Sequence, residues 1–116
     1  MNYLNKDITI IKRIIDYCEQ IENTVNRFGK SFEIFENDFV YQNACSMCIL
    51  QIGELSSQLS DEFKSKNNQV PWKNIKGMRN IFAHNYGNMS VLATYETITE
   101  DIPKLKDYCK SLIGNS

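Results

Sequence analysis

The sequence has no apolar run approaching the roughly 20 residues that a bilayer-spanning helix requires. It also lacks the basic stretch and unbroken apolar block of a signal peptide at its start, where Met1-Asn2-Tyr3-Leu4-Asn5-Lys6 stand. Proline occurs twice and glycine five times in 116 residues, which excludes a collagen-like chain, a linker or a low-complexity segment. These absences lead to the expectation of a soluble cytoplasmic protein with no membrane partner. What is present, 42% apolar and 23% charged residues, fits one globular domain over residues 1–116.

Metal-site signatures are missing too. There is one histidine, with no carboxylate cluster beside it, so neither a metal nor a cofactor is expected. Four cysteines include a single C-x-x-C pair, Cys45 and Cys48, with no second pair at zinc-ribbon spacing. Reduced thiols at apolar positions read as core residues.

The net charge of −1 excludes a general nucleic-acid binder, but the distribution is uneven. Residues 63–95 contain no Asp or Glu, yet hold Lys64, Lys66, Lys73, Lys76 and Arg79. Eight basic residues face all 14 acids elsewhere. This third of the chain is a positive patch on an acidic body, or else the solvated face of a helix.

The periodicity is helical throughout, and no hairpin signal joins alternating runs. Ile8, Ile11, Ile14, Ile15, Cys18, Ile21, Val25 and Phe28 predict a first helix of about twenty residues, ended by Gly29. Residues 30–37 read as a connector, with Asn37 or Asp38 as the next N-cap. A second helix runs to about Leu59, residues 60–63 start a short extra turn, and residues 65–69 read as a loop. Pro71 opens a third helix running to about Asn85. Ser90 caps a fourth, which Pro103 divides or kinks before an end near Ile113. The expected fold is all-α, an antiparallel four- to five-helix up-and-down bundle.

On the second helix Tyr41, Cys45, Cys48, Ile52, Leu55 and Leu59 form one apolar stripe. Val40, Met47 and Leu50 form another, next to Glu54. Two apolar faces on one helix of a small bundle point to a homodimer interface.

On the third helix Trp72, Ile75, Met78, Ile81, Phe82 and Ala83 share a broad apolar arc, and Arg79 falls inside it. A guanidinium there is either paired or lines a cleft. Asn80 and His84, four residues apart, lie within about 40° of each other. A cationic imidazole is favoured at a helix C-terminus. On chemistry alone two readings stay open: a functional Arg–Asn–His cluster, or a core arginine paired with Glu54 beside a capping histidine. Tyr86 is likewise either an exposed phenol near the cleft or a tyrosine packed at the bundle rim.

The stretch Met78-Arg79-Asn80-Ile81-Phe82-Ala83-His84-Asn85-Tyr86 resembles the Arg-x4-His-x-Tyr motif of HEPN-domain proteins, in particular the HepT-like toxins. Ile52-Gly53-Glu54, Val70-Pro71-Trp72 with Ile75, Gly77-Met78 and Ile102-Pro103-Lys104-Leu105 follow that family's pattern in order. One departure is Met89-Ser90, where many members read Ile-Asp; serine caps a helix as aspartate does.

The resemblance implies a HEPN-like bundle and a metal-independent ribonuclease toxin of a toxin–antitoxin system. Its implied partners are an RNA substrate and an MNT-type nucleotidyltransferase antitoxin, in a homodimer and a higher hetero-oligomer with that antitoxin. Arg79, His84 and Asn80 would be catalytic, in a cleft composed by two protomers, with Glu54 supporting and Lys73 and Lys76 in an RNA-binding patch. His84 would act as general acid or base and Arg79 would stabilise phosphoryl charge during 2′-hydroxyl attack, for which only RNA supplies the nucleophile. Tyr86 would be the site where the antitoxin attaches AMP. The alternatives are a non-catalytic nucleotide- or substrate-binding subunit of a nucleotidyltransferase, and a plain helical dimerisation protein.

Overall fold

The computed structural model of the chain describes residues 2–77 and 90–113. Among these residues the secondary structure is helical, with no strand. We number the helices α1 (Asn2–Phe28), α2 (Phe32–Glu36), α3 (Phe39–Ser57), α4 (Asp61–Lys66), α5 (72–77), α6 (Val91–Glu96) and α7 (Ile102–Ile113), with a π-helical turn at Thr97–Asp101 between the last two.

Helix α1 forms because isoleucine recurs on one side of it. Ile11, Ile14, Cys18 and Ile21 are fully buried, at 0% exposure. The helix stops at Gly29, whose φ of 114° suits only glycine, and whose N–H bonds to the Val25 carbonyl at 2.8 Å. Helix α3 starts at Asp38, whose carboxylate accepts from the backbone N–H of Val40 at 3.0 Å and of Tyr41 at 3.2 Å. The main apolar stripe of α3, from Tyr41 to Leu55, is buried as the periodicity predicts, as is Leu59 just past the helix end.

Four residue pairs fix helix directions. The Tyr41 hydroxyl, at the start of α3, donates to the Gly29 carbonyl just past α1, at 3.1 Å. Asp7, near the start of α1, receives the Ser60 N–H at 2.9 Å and the Ser60 hydroxyl at 2.7 Å, just past α3. These opposite pairings make α1 and α3 antiparallel. Lys106 pairs with Glu22, and Lys110 Nζ lies 3.3 Å from Glu19, so α7 runs antiparallel to α1 as well. The three long helices thus make an antiparallel layer with α1 in the middle, and α1 packs on both α3 and α7.

Several expectations need correction. The connector over residues 30–37 contains α2, capped by the Ser31 side chain accepting from Ile34 N–H at 3.4 Å. Phe35 is fully buried and pins this helix. Its ring sits 4.8 Å from Tyr41, edge-on at 88°, and 5.5 Å from Tyr95. Helix α1 begins at Asn2 and spans 27 residues, longer than its apolar repeat suggests. The extra turn after Ser60 extends through Lys66, so Ser65 and Lys66 are helical rather than loop. Of the two expectations for Pro103, division is the one not seen, since the helical path runs on through it. It lacks an N–H and its ring would strike the carbonyl four residues back. The preceding turn widens instead, and Ile102 N–H reaches the Thr97 carbonyl five residues back.

Candidate functional site

Arg79, Asn80, His84 and Tyr86 lie outside the described residues, as does the part of the predicted third helix beyond residue 77. Helix α5 leads into them along the chain. Three residues span at most about 11 Å of chain, so Lys76 is within that reach of Arg79 whatever the local conformation.

The segment leading up to the motif is built by α4 and the turn after it. Ser60 Oγ accepts from Phe63 N–H at 3.1 Å, while buried Asp7 holds the same serine from α1. Phe63 is buried and anchors α4. Asn67 then closes the helix end, its side-chain amide donating to the Phe63 carbonyl at 2.9 Å. The Asn67 carbonyl in turn accepts from the indole N–H of Trp72 at 3.0 Å, which fixes the ring on the turn. The Pro71 carbonyl accepts from Asn74 and Ile75, at 3.0 and 3.1 Å, and begins α5. Val70 and Ile75 are buried; Trp72 is half-buried and packs against the core.

Between α4, the end of α3 and the start of α5 lies an open cleft of about 600 Å³. Lys64, Lys73 and Lys76 line it together with Trp72, Asn68 and Ser57, and Asp61 is also at its edge. Thus the structure brings Lys73 and Lys76 to one cleft. It adds Lys64 and Trp72, which sequence reasoning placed in the acid-free run and on the apolar arc without assigning them to a site. Proximity of α4 to α5 is tertiary, so spacing alone could not pair Lys64 with Lys73. Lys66 departs from the patch: its Nζ lies 3.0 Å from Glu62 one turn earlier, both exposed. Among the described residues none forms an ion pair with Lys64, Lys73 or Lys76. Glu54 stands half-buried on α3, and its carbonyl accepts the Ser57 hydroxyl at 2.7 Å.

The thiols belong to the core. Cys18, Cys45, Cys48 and Cys109 are free and buried. Burial pushes the thiols of Cys45 and Cys109 up to about 12, and raises those of Cys18 and Cys48. None is a thiolate nucleophile near neutral pH. Among the described residues no three His, Cys, Asp or Glu side chains stand together as metal ligands, and no helix is long and apolar enough to cross a membrane.

The second stripe of α3 is only partly as expected. Val40 and Met47 are exposed, at 51% and 56%, but Leu50 is partly buried against the chain's own core. Phe39, at 73% the most exposed large apolar residue among those described, joins the strip instead. It escaped the periodicity because it is the first residue of its helix.

The family model described as "HepT-like: Ribonuclease HepT-like" matches residues 14–112. A protein of Caldanaerobacter subterraneus subsp. tengcongensis named "Putative RNase" is 35% identical over 103 residues, 89% of this chain and 90% of that one. A Methanocaldococcus jannaschii protein of the same description is 30% identical over 102 residues, 86% of this chain and 78% of its own. The "Probable ribonuclease HepT" of Thermococcus cleftensis is 29% identical over 96 residues, 78% of this chain and 87% of that protein. No solved structure matches the chain significantly.

Proposed function

Because the chain belongs to the HepT-like ribonuclease family of the HEPN superfamily, we propose that it is a metal-independent endoribonuclease and the toxin of a toxin–antitoxin pair. The observation that carries this reading is the family match over residues 14–112, a span that includes Arg79-x4-His84-x-Tyr86. In the proposed reaction the 2′-oxygen of one ribose attacks the adjacent phosphorus and the 5′-oxygen of the next nucleotide leaves. An imidazole of His84 takes the 2′-hydroxyl proton, and a protonated one gives a proton to the departing oxygen. Arg79 holds the negative charge on the non-bridging oxygens, and Asn80 positions the phosphate. Glu54 supports the site from α3. The products are a 2′,3′-cyclic phosphate and a free 5′-hydroxyl, and no metal takes part.

The exposed apolar strip of Phe39, Val40 and Met47 supports the second element of the proposal, a homodimer whose two copies compose the cleft. The third is control by an MNT-type nucleotidyltransferase antitoxin, which transfers AMP to the Tyr86 phenol in a higher hetero-oligomer. The phosphate and adenosine so added bring negative charge and bulk close to Arg79, where the RNA phosphate must sit.

Expression of wild type and His84→Ala with and without such an antitoxin, scored by growth and RNA integrity, tests the proposal. Wild type alone should arrest growth and degrade RNA, and His84→Ala should do neither. On co-expression the wild-type mass should rise by whole adenylate units mapped to Tyr86, and Tyr86→Phe should gain none there and stay toxic. A silenced wild type with no change in mass would place inhibition in binding alone and overturn the modification. A chain that leaves RNA intact yet binds nucleotide would be a binding subunit rather than a nuclease.

A further inference from the structure

We propose that the cleft between α4 and α5 is a docking channel for one RNA strand, in which Lys64, Lys73 and Lys76 hold phosphates and Trp72 stacks a base. The proposal rests on the ribonuclease reading for the identity of its ligand, but not for the channel itself. Three observations on the molecule carry it.

The first is charge. Three lysines from two different helices converge on one cleft, and no described residue neutralises them, while Lys66 on the same short helix is paired away to Glu62. Asp61 is the one carboxylate lining the cleft. Such a site attracts a polyanion, and each phosphate neutralised releases counterions.

The second is the aromatic ring. Trp72 is the only tryptophan of the chain, and its indole N–H is spent on the Asn67 carbonyl at 3.0 Å. The ring is thus held in place before any ligand arrives. The part of it not packed on the core lines the same cleft as the lysines. A fixed ring among free lysines is the combination that binds single strands without sequence preference, because every base offers a π-face. A paired duplex keeps its bases stacked inside and offers no such face.

The third is position. The cleft's volume of about 600 Å³ falls in the range of small-ligand sites, enough for part of a strand rather than a folded partner. Lys76 is three residues before Arg79 in the chain, a separation of at most about 11 Å. Asn68 and Ser57 add hydrogen-bonding groups to the lining.

The lone tryptophan reports on its own site. A 2′-deoxy single strand of about twelve nucleotides, which lacks the attacking hydroxyl and cannot be cut, is titrated into wild type and into a Lys64→Ala/Lys73→Ala/Lys76→Ala variant. Wild-type fluorescence should be quenched, and the quenching should reverse with added salt. The variant should bind about 100-fold more weakly near 0.1 M salt, with a log–log salt slope shallower by about 2, from three phosphate contacts at about 0.7 each. None of the three lysines is buried or ion-paired with a described residue, so its thermal midpoint should match wild type, and with cleavable RNA its KM should rise while kcat stays. Equal quenching by a duplex of the same sequence would overturn the stacking. Equal quenching by polyglutamate would assign the cleft to an acidic protein and overturn the RNA assignment. Cleavage by wild type with no quenching, and with an unchanged KM in the variant, would overturn the channel and leave the nuclease standing. Quenching without cleavage would do the reverse.

Discussion

The layer of α1, α3 and α7 and the segment from α4 into α5 solve opposite problems with the same kind of secondary structure. In the layer, Ile11, Ile14, Cys18, Tyr41, Cys45 and Cys109 are wholly buried, and two of its lysines are paired across helices, Lys106 to Glu22 and Lys110 to Glu19. In the segment, buried anchors are few: Phe63, Val70 and Ile75. Its lysines at positions 64, 73 and 76 are left without a described acidic partner. The layer closes over an apolar core; the segment gathers three lysines on one open cleft. On the proposed function, stability and RNA binding are carried by different residues, and substitutions should separate them.

The largest effect expected is on the layer. Ile14→Ala removes a wholly buried side chain and should cost about 2–5 kcal/mol of stability by chemical denaturation. If it costs no more than a surface change, the division between the two regions fails.

Alkaline pH should weaken the layer next. Cys45 and Cys109 keep their protons in the fold up to about 12, whereas thiols in the unfolded chain ionise near 9. Between those limits the folded state binds more protons, so stability falls as pH rises. At pH 10 the two together should cost about 3 kcal/mol, at about 1.4 kcal/mol per thiol per unit above 9. Denaturant midpoints at pH 8 and pH 10 measure this, and Cys45→Ala should flatten the dependence. A thiol reagent should label none of the four cysteines before unfolding.

Asp7 joins the two regions, since its carboxylate on α1 holds Ser60 at the start of α4. Asp7→Ala leaves the Ser60 N–H without that partner and should cost about 1–3 kcal/mol. Hydrogen exchange should show the added opening first in α4.

The smallest change in stability belongs to the segment. Lys73→Ala with Lys76→Ala should shift stability by less than about 0.5 kcal/mol. On the proposed function RNA binding should weaken all the same. Met47→Glu, on the exposed strip of α3, should leave the monomer folded and divide the proposed dimer in sedimentation.

The same contrast explains what the sequence disclosed. The layer was legible because its helices are long: isoleucine at helical spacing located α1, and Asp38 marked the start of α3, while Ser60 and Ser90 marked the capped starts of the shorter α4 and α6. An element with no such signal was not. Helix α2 has five residues, too few for a period, and exists because Phe35 packs on Tyr41 of the next helix and on Tyr95 from a distant part of the chain. Asp7 meets its partner 53 residues away, a separation that no local pattern records. The lysine cleft was half legible: the absence of acids over residues 63–95 marked the region, but only folding sets Lys64 beside Lys73. Leu50 shows the converse, since an apolar stripe on a helical wheel does not say whether its partner is this chain's core or another copy.

The most direct test is RNA cleavage by the purified chain in the presence of EDTA, wild type against His84→Ala, with both melting curves recorded. Wild type should cut and leave 2′,3′-cyclic phosphate ends. His84→Ala should cut about 10²–10⁴-fold more slowly at an unchanged melting temperature. Cleavage that disappears with EDTA and returns with magnesium, or that survives His84→Ala at the wild-type rate, would contradict a metal-free mechanism centred on Arg79 and His84.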